Sequence, residues 1–360
     1  MTDSFFTRRQ DILKTRLAKD NLDGMLITHL PNVRYICGFS GSAGSCLVTQ
    51  SGNYFFSDGR YTEQARQEVK GCEIHIGTHN HFETAKNNGI IPNGMSLAFE
   101  KDRVAVSQYE TMQNLFPDTS WEGISMIVEN IAAVKDDMEL EALRTAVEIT
   151  DKAYDQILPM LKPGTTEKQV ATSLSSFYME HGDGEAYPAI VAGGPNGALP
   201  HAQPSDRSFE KGDFIVIDAA AKYAGYHADM TRTPVVEEAT DRHRDMYAIV
   251  KESQQRGLDA AKAGVSCKDV DSACRDYIED QGFGEYFIHG TGHGIGLEIH
   301  TWPRFSQLSE EVLKKNNVMT IEPGIYFSGW GGIRIEDDVI IHEDNCEVMN
   351  TTTKELMILS

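Results

Sequence analysis

The stretch 289-HGTGHGIGLEIH-300 decides how this sequence is interpreted, because it packs three histidines and four glycines into twelve positions. Gly292 and Gly294 remove the Cβ atom on both sides of His293, so the backbone there can adopt positive φ and approach other chains or a metal ion closely. We predict that His293 is a metal ligand rather than a buried histidine satisfied by a backbone carbonyl. His289 and His300 are candidates for hydrogen bonds to a bound carbonyl, or they only line the loop.

Four acidic residues outside this stretch lie at the edges of apolar runs. Asp218 ends the run FIVID, and Asp229 follows eleven residues later. Glu322 follows the apolar residues of TIEPG, and Glu336 lies fourteen residues further on. A carboxylate at the edge of a buried strand is costly to desolvate unless it is paired or bound to a metal. Four carboxylates and one imidazole suit a pair of divalent cations that share carboxylates and a bridging water or hydroxide.

The sequence resembles the pita-bread metallopeptidases, the family of Xaa-Pro aminopeptidase (aminopeptidase P), Xaa-Pro dipeptidase (prolidase), methionine aminopeptidase and creatinase. Five blocks similar to the signatures of that family's catalytic domain occur in the right order: PHAQPSD, IDAAAKYAGYHADMTRT, GTGHGIGLEIH, TIEPGIY and GGIRIEDDV. Two earlier blocks, LPNVRYICGFSGSAG and FSDGRYTEQA, resemble the creatinase-type N-terminal domain. The resemblance covers nearly the whole chain.

The fold class that this resemblance implies is α/β (α+β). It implies a creatinase-like N-terminal α/β domain over residues 1–130, followed by a pita-bread catalytic domain over residues 131–360. In the second domain, helices are expected to cover a curved, mostly antiparallel sheet. The residues themselves predict a long helix after Asp136, whose charge suits a helix N-terminus, and a capping box of Thr166 and Gln169 for the next helix.

The resemblance also implies a metal-ligand set. Asp218 and Asp229 match the family's two aspartate ligands, and His293 matches its histidine ligand. Glu322 and Glu336 match its two glutamate ligands. In the family, Asp229 and Glu336 bridge the two ions, and Glu322 also carries the proton.

Further residues match groups that contact the substrate or support the ligands. His201 matches a histidine that contacts the substrate near the scissile bond, and His300 matches one that stabilises the tetrahedral intermediate. Arg334 corresponds to an arginine that orients the groups around the ligands. Arg304 is a candidate for holding a substrate or product carboxylate, and His289 for contacting the substrate.

These roles predict an Xaa-Pro aminopeptidase or Xaa-Pro dipeptidase. A hydroxide that bridges two divalent cations, manganese first and cobalt, zinc or iron as alternatives, would attack the carbonyl of the Xaa-Pro bond. The alternatives are methionine aminopeptidase, which usually lacks a domain like residues 1–130, and a non-catalytic pita-bread module that binds peptides. Ala220 and Thr301 depart from the family pattern, which usually has glycine and glutamate there, without removing a ligand.

Composition limits the partners. The chain has 33 basic and 54 acidic residues, a formal charge of −21, so we expect no nucleic-acid or anionic-membrane partner. No run approaches the ~18 apolar residues of a membrane span, and the N-terminal stretch contains no signal-peptide pattern. Six cysteines without CxxC spacing predict reduced thiols in the cytoplasm. The resemblance implies a homodimer that acts on peptides with proline at position two.

Overall fold

The structure is a computed structural model that describes residues 3–77 and 80–359. The chain divides into two compact units, Met1–Ala132 and Ala133–Ser360. The α-helices in the described residues are α1 (Asp3–Lys19), α2 (Leu30–Cys37), α3 (Thr62–Glu68), α4 (His81–Asn87), α5 (Val106–Leu115), α6 (Ile127–Ala132), α7 (Asp137–Ile157), α8 (Glu167–His181), α9 (Asp241–Ala260) and α10 (Cys267–Asp280). The strands of the first unit are β1 (Gly24–Ile27), β2 (Ser45–Thr49), β3 (Asn53–Asp58), β4 (Glu73–Gly77), β5 (Ser96–Glu100) and β6 (Ser120–Ile124). Those of the second unit are β7 (Gly184–Glu185), β8 (Ile190–Gly193), β9 (Ile215–Asp218), β10 (Ala221–Tyr223), β11 (Tyr226–His227), β12 (Thr231–Arg232), β13 (Val235–Val236), β14 (Gly292–Gly294), β15 (Thr301–Phe305), β16 (Val318–Ile321), β17 (Gly324–Phe327), β18 (Gly331–Arg334), β19 (Asp337–Ile341), β20 (Cys346–Val348) and β21 (Ile358–Leu359).

The first unit contains a six-stranded mixed sheet with the order β4-β3-β2-β1-β5-β6. Both of its faces are covered. Met25, Leu26 and Ile27 are consecutive and point alternately to opposite faces, yet each is at most 2 % exposed. Phe82 of α4 and Met112 of α5 pack in one cluster with Leu26. α1 and α2 contact β2.

The strands of the second unit form several sheets, with the orders β11-β10-β7, β12-β9-β8, β13-β21, β15-β14-β16-β19-β20 and β17-β18. Their pairing is antiparallel except between β13 and β21, so the mostly antiparallel character is confirmed. The strands do not form one continuous sheet, because polar residues interrupt them. Asp229, for example, lies between the two-residue strands β11 and β12.

Two helix pairs cover these strands. Tyr154 of α7 and Leu174 of α8 pack in one buried cluster with Ile217 of β9. Val250 of α9 and Cys274 of α10 belong to a second cluster that includes β16. β9 ends at Asp218, and β16 directly precedes Glu322, so each helix pair fixes a strand that carries a predicted ligand at its end.

The predicted helix starts are confirmed. Asp136 caps α7, because its Oδ1 accepts from Glu139 N at 3.0 Å while Glu139 Oε2 accepts from Asp136 N at 3.1 Å. Thr166 and Gln169 form the same reciprocal pair at α8, with distances of 3.2 and 2.9 Å.

Hydrogen bonds and one strand pairing hold residues 351–359 in the second unit. Arg232, which is 1 % exposed, donates to Thr352 O at 2.8 Å, to Thr353 O at 3.1 Å and to Asp337 Oδ1 at 2.7 Å. β21 adds a parallel partner to β13. The segment therefore completes the hydrogen bonding of a buried guanidinium.

All six cysteines lie in the described residues and are free thiols. Among the helices described, none has both the length and the apolar character to cross a membrane.

Candidate metal centre

One cavity of about 490 Å³ in the second unit brings together the residues that the sequence singled out. Every predicted ligand and substrate-contacting residue lines it: His201, Asp218, Asp229, His289, His293, His300, Arg304, Glu322, Arg334 and Glu336. Residues far apart in the sequence therefore share one site.

Strand ends place the carboxylates at this cavity. Asp218 is the last residue of β9 and pairs with Thr231 of β12, so Asp229, two residues before Thr231, lies beside it. Glu322 follows β16 directly, and Glu336 lies between β18 and β19. Asp218, Asp229 and Glu336 are buried, with exposures of 9, 5 and 1 %.

His293 lies in β14 between two glycines that are required for close approach. A Cβ atom at Gly292 would stand 2.0 Å from Thr320 O, and one at Gly294 would stand 2.7 Å from Trp302 O. The positive φ that we expected at these glycines is not present. Neighbouring backbone, rather than unusual backbone angles, is what excludes side chains around His293.

The imidazole of His293 faces two carboxylates. Nε2 lies 3.5 Å from Asp229 Oδ2 and 3.4 Å from Glu322 Oε1, while Nδ1 lies 3.1 Å from Gly294 O. Burial lowers the pKa of His293 to about 3, so the ring is neutral and donates its Nδ1 proton to the carbonyl. The Nε2 lone pair then points at carboxyl oxygen atoms, which is unfavourable unless a cation or a proton lies between them.

Burial and mutual repulsion raise the pKa of the clustered carboxyl groups. Burial, followed by the charges of Asp218 and Glu322, raises the pKa of Asp229 well above its ordinary value. Burial and the charge of Asp229 do the same for Glu336. Burial raises the pKa of Glu322 to about 7, even though Arg334 opposes the shift. The cluster is therefore short of positive charge.

Arg334 supplies part of that charge and is 3 % exposed. Its Nη2 donates to Asp218 Oδ2 at 2.5 Å, its Nη1 to Tyr326 OH at 2.7 Å and its Nε to Thr231 Oγ1 at 3.0 Å. Thr231 donates in turn to Glu336 Oε2 at 2.6 Å. The guanidinium thus fixes Asp218 directly and Glu336 through Thr231.

Tyr187 joins the cluster, although the sequence did not single it out. Its hydroxyl lies 2.5 Å from Asp218 Oδ1 and also contacts Asp229 Oδ1. Because a phenol carries one proton, it donates to one of these carboxylates at a time. Burial and the two aspartate charges raise the pKa of Tyr187, so the hydroxyl stays protonated.

Three predicted substrate-contacting residues lie at the exposed part of the cavity, namely His201, His300 and Arg304. The ring centroid of His300 is 4.4 Å from that of His293, with the planes inclined by 65°. Arg304 lies on β15 as the strand partner of His293. All three side chains are therefore available to a molecule that enters the cavity.

His289 differs from them, because both of its ring nitrogens have partners within the protein. Nδ1 lies 2.8 Å from Gly290 O, and Nε2 lies 2.9 Å from Tyr326 OH. Burial lowers the pKa of His289 to about 4, so the ring is neutral. Its geometry is that of a residue that positions Tyr326.

Asp271 of α10, also missed from the sequence, anchors the histidine-bearing stretch. It is fully buried and accepts from Thr291 N and Oγ1, from the guanidinium of Arg275, and from Gln307 Nε2 at 2.7 Å. Arg275 also donates to His289 O at 2.6 Å. Asp271 thereby fixes the backbone between His289 and His293.

The two departures from the family pattern lie beside the ligands without replacing one. Ala220 is fully buried and packs in a small cluster with Ala146 and Val147 of α7. Thr301 begins β15, and its Oγ1 would stand 2.7 Å from a Cβ atom at Gly294.

The residues present fit a divalent cation. One ligand atom each from Asp229, His293 and Glu336 can be chosen so that all lie within 4.8 Å of one another. Glu336 Oε1 is buried and has no hydrogen-bond partner among the described residues, a costly state that a bound cation would remove. Carboxylate oxygens with one imidazole are a donor set for manganese, cobalt, iron or zinc.

Comparison with known families gives two matches. Residues 141–343 match metallopeptidase family M24, and residues 9–134 match the creatinase/prolidase N-terminal domain. An Xaa-Pro dipeptidase of Pyrococcus furiosus is 35% identical to the chain, with the alignment covering 96% of this chain and 100% of the relative.

Solved structures give the same result. The Xaa-Pro dipeptidase from Bacillus anthracis superposes with a TM-score of 0.94 at 38% identity, covering 98% of this chain and 100% of that one. The X-Pro aminopeptidase from Thermotoga maritima superposes with a TM-score of 0.90 at 35% identity, covering 97% and 99%. Similarity therefore extends over both units of the chain.

Proposed function

Because this chain belongs to metallopeptidase family M24, we propose that it hydrolyses the Xaa-Pro bond of peptides with proline at position two and releases their N-terminal residue. The convergence of Asp229, His293 and Glu336 within 4.8 Å carries the proposal. We assign the reaction to the catalytic domain, residues 131–360, and treat residues 1–130 as the creatinase-type domain. Relatives that are named for Xaa-Pro substrates support this substrate class.

Two divalent cations would be held by Asp218, Asp229, His293, Glu322 and Glu336. Manganese is our first choice, and cobalt, zinc or iron are compatible with the same donors. When bound, such ions activate a water molecule and polarise the carbonyl group of the scissile bond. Arg334 and Tyr187 hold the aspartates at the required positions.

Glu322 is proposed to move the proton. Its Oε1 already accepts from Thr320 Oγ1 at 3.1 Å and lies near His293, which leaves Oε2 to take the proton of the attacking water. That proton must reach the prolyl nitrogen, since an amine is a poor leaving group until it is protonated. The nitrogen carries no hydrogen of its own before cleavage, because the proline ring occupies that position.

The exposed residues of the cavity are proposed to bind the peptide. His300, beside His293, donates to the carbonyl oxygen as charge develops on it. His201 contacts the substrate near the scissile bond, and Arg304 holds a carboxylate of the substrate or product. We propose that His289 acts through Tyr326, since both of its ring nitrogens already have partners.

A direct assay tests the proposal. The purified full-length protein, loaded with Mn²⁺, is expected to release proline from Ala-Pro, to lose this activity on chelation and to regain it when Mn²⁺ is restored. Comparing Ala-Pro with longer peptides that begin Ala-Pro distinguishes a dipeptidase from an aminopeptidase. Binding of these peptides without cleavage by the metal-loaded protein would instead indicate a peptide-binding module.

A matched pair of variants tests the proton transfer. Glu322→Gln is expected to abolish turnover, because the amide cannot carry the proton, while the exposed Glu310→Gln keeps the activity of the unmodified protein. Retained turnover in Glu322→Gln would contradict the role of Glu322.

We also propose a homodimer in the cytoplasm, and size-exclusion chromatography with light scattering tests the dimer.

A further inference from the structure

Three cysteines of the first unit, unused by the proposed reaction, meet at one place. Cys37 ends α2, Cys46 lies in β2 and Cys72 directly precedes β4. The Sγ atoms of Cys46 and Cys72 are 3.6 Å apart, and the thiol of Cys37, which donates to Val33 O at 3.2 Å, lies beside both. Twenty-six positions of sequence separate Cys46 from Cys72, so the fold, and not chain proximity, creates this contact.

Gln10 of α1 holds the segment that carries Cys72. Its Nε2 lies 3.0 Å from Ile36 O, 3.1 Å from Lys70 O and 3.7 Å from Cys72 Sγ. Asn53 Nδ2 donates to Gln10 Oε1 at 2.8 Å. The amide therefore joins the end of α2 to the bend before β4 and keeps the sulfur atoms together.

Exposure gives the three thiols different roles. Cys37 and Cys46 are fully buried, whereas Cys72 is half-buried and reachable by a small oxidant. Cys346, the half-buried cysteine of the second unit, donates instead to Leu258 O at 3.3 Å. It provides a thiol of similar exposure in a different setting.

We propose that Cys46 and Cys72 form an oxidation site, at which hydrogen peroxide converts the two thiols into an intramolecular disulfide. Peroxide first transfers an oxygen atom to the Cys72 sulfur, giving a sulfenic acid and one water. The Cys46 sulfur then attacks that sulfur, the S–S bond forms, and the S–O bond breaks with release of a second water. Two thiols are oxidised, and one peroxide is reduced to two waters.

The local structure is compatible with this step. The sulfur atoms must move from 3.6 Å to the roughly 2.05 Å of a disulfide. Cys72 lies in the bend before β4, outside the strand ladder, and can shift with its side chain. The neighbouring thiol of Cys37 and burial raise the pKa of Cys46 and of Cys72, so little thiolate is present at neutral pH and the reaction is slow.

The test is peroxide treatment of the full-length protein, followed by thiol counting, intact mass and non-reducing peptide mapping. We expect titratable thiols to fall from six to four, the mass to drop by two hydrogen atoms, and a peptide linking Cys46 to Cys72 that dithiothreitol removes. The melting temperature of the oxidised protein rises, because the link restricts the unfolded chain. Unchanged thiols, links between molecules, or a link that uses Cys37 would overturn the proposal.

Single variants assign the sulfur atoms. Cys72→Ser, and Cys46→Ser or Cys46→Ala, are expected to lose the linked peptide, whereas Cys37→Ser and the control Cys346→Ser retain it. In both Cys46 variants Cys72 gains oxygen instead, which shows that it is the site of first attack. A peptide that links Cys46 to another cysteine in Cys72→Ser, with circular dichroism like that of the unmodified protein, would contradict the assignment.

Discussion

Asp271 of α10 accepts two hydrogen bonds from Thr291, from its backbone N at 3.0 Å and from its Oγ1 at 2.8 Å. Thr291 O accepts in turn from Glu322 N at 2.8 Å. A helix residue that does not line the cavity is therefore connected to the backbone of a proposed ligand and to the loop of His293. Outer hydrogen-bond partners of this kind orient the ligands of metal sites.

Replacing this carboxylate should weaken the site without removing a ligand. Asp271→Asn keeps the size of the side chain but loses the charge that Arg275 and Thr291 share. We expect Mn²⁺ affinity, measured by calorimetry, to fall about tenfold, and the unfolding free energy to fall by about 2 kcal/mol. Asp269→Asn, exposed in the first turn of the same helix, is the control; it should leave Mn²⁺ affinity unchanged and lower the unfolding free energy by about 0.5 kcal/mol or less. Unchanged Mn²⁺ affinity in Asp271→Asn would show that the loop holds its own position.

Arg334→Lys tests whether the shape of the guanidinium matters beyond its charge. Lysine cannot reach Asp218, Tyr326 and Thr231 at once, so we expect kcat on Ala-Pro to fall about 10- to 100-fold. Arg144→Lys is the matched control, since its guanidinium pairs with Glu347 at a partly exposed surface and contributes about 0.5 kcal/mol or less. Equal activity of both variants would contradict the positioning role.

Tyr187→Phe removes a hydroxyl that contacts two proposed ligands. We expect weaker Mn²⁺ binding by about tenfold, because the aspartates lose the donor that fixes their orientation. Tyr154→Phe is a suitable control, since its buried hydroxyl has no hydrogen-bond partner and its removal should leave Mn²⁺ affinity unchanged. Titration calorimetry of both variants makes the comparison without relying on turnover.

The carboxylate cluster should make the metal-free protein less stable as pH rises. Burial raises the pKa of Glu322 from 4.5 to about 7, so between these values the folded state binds more protons than the unfolded state. The unfolding free energy therefore falls across this window, and the raised pKa values of Asp229 and Glu336 act in the same direction. Scanning calorimetry from pH 5 to pH 8 should show a falling melting temperature, with a smaller slope in Glu322→Gln. An equal slope in Glu322→Gln and unmodified protein would exclude Glu322 as a source.

The strand-end carboxylates were predictable because their cost is local. A charged residue that ends an apolar run, such as Asp218, needs a partner wherever the strand lies, and the sequence therefore points to it. His293 and His300 are also only seven residues apart, so the sequence itself indicates that they lie near each other. The fold class was implied by the family resemblance that the ordered signature blocks carry, and the matched families and the antiparallel pairing agree with it.

Residues that act through tertiary contact were not predictable. Tyr187 lies between β7 and β8 and Asp271 lies on α10, and each meets its partners through tertiary contacts. Neither residue stands in a local sequence pattern that signals a partner. The glycines around His293 were assigned to positive φ, whereas approach of Thr320 and Trp302 is what excludes a Cβ atom there. The sequence shows that Gly292 and Gly294 lack side chains, but only the structure shows which backbone atoms lie against them.

The contacts of residues 351–359 with Arg232 and β13 imply an order of folding steps during biosynthesis. Arg232 is synthesised 120 residues before Thr352, whose carbonyl group, with that of Thr353, completes the guanidinium's hydrogen bonds. Closing the strands around Arg232 before residues 351–359 are translated would bury a cation that lacks two of its hydrogen-bond acceptors. We therefore expect the second unit to complete its folding only after this segment has emerged, and a chain that stops before Thr352 to be less stable.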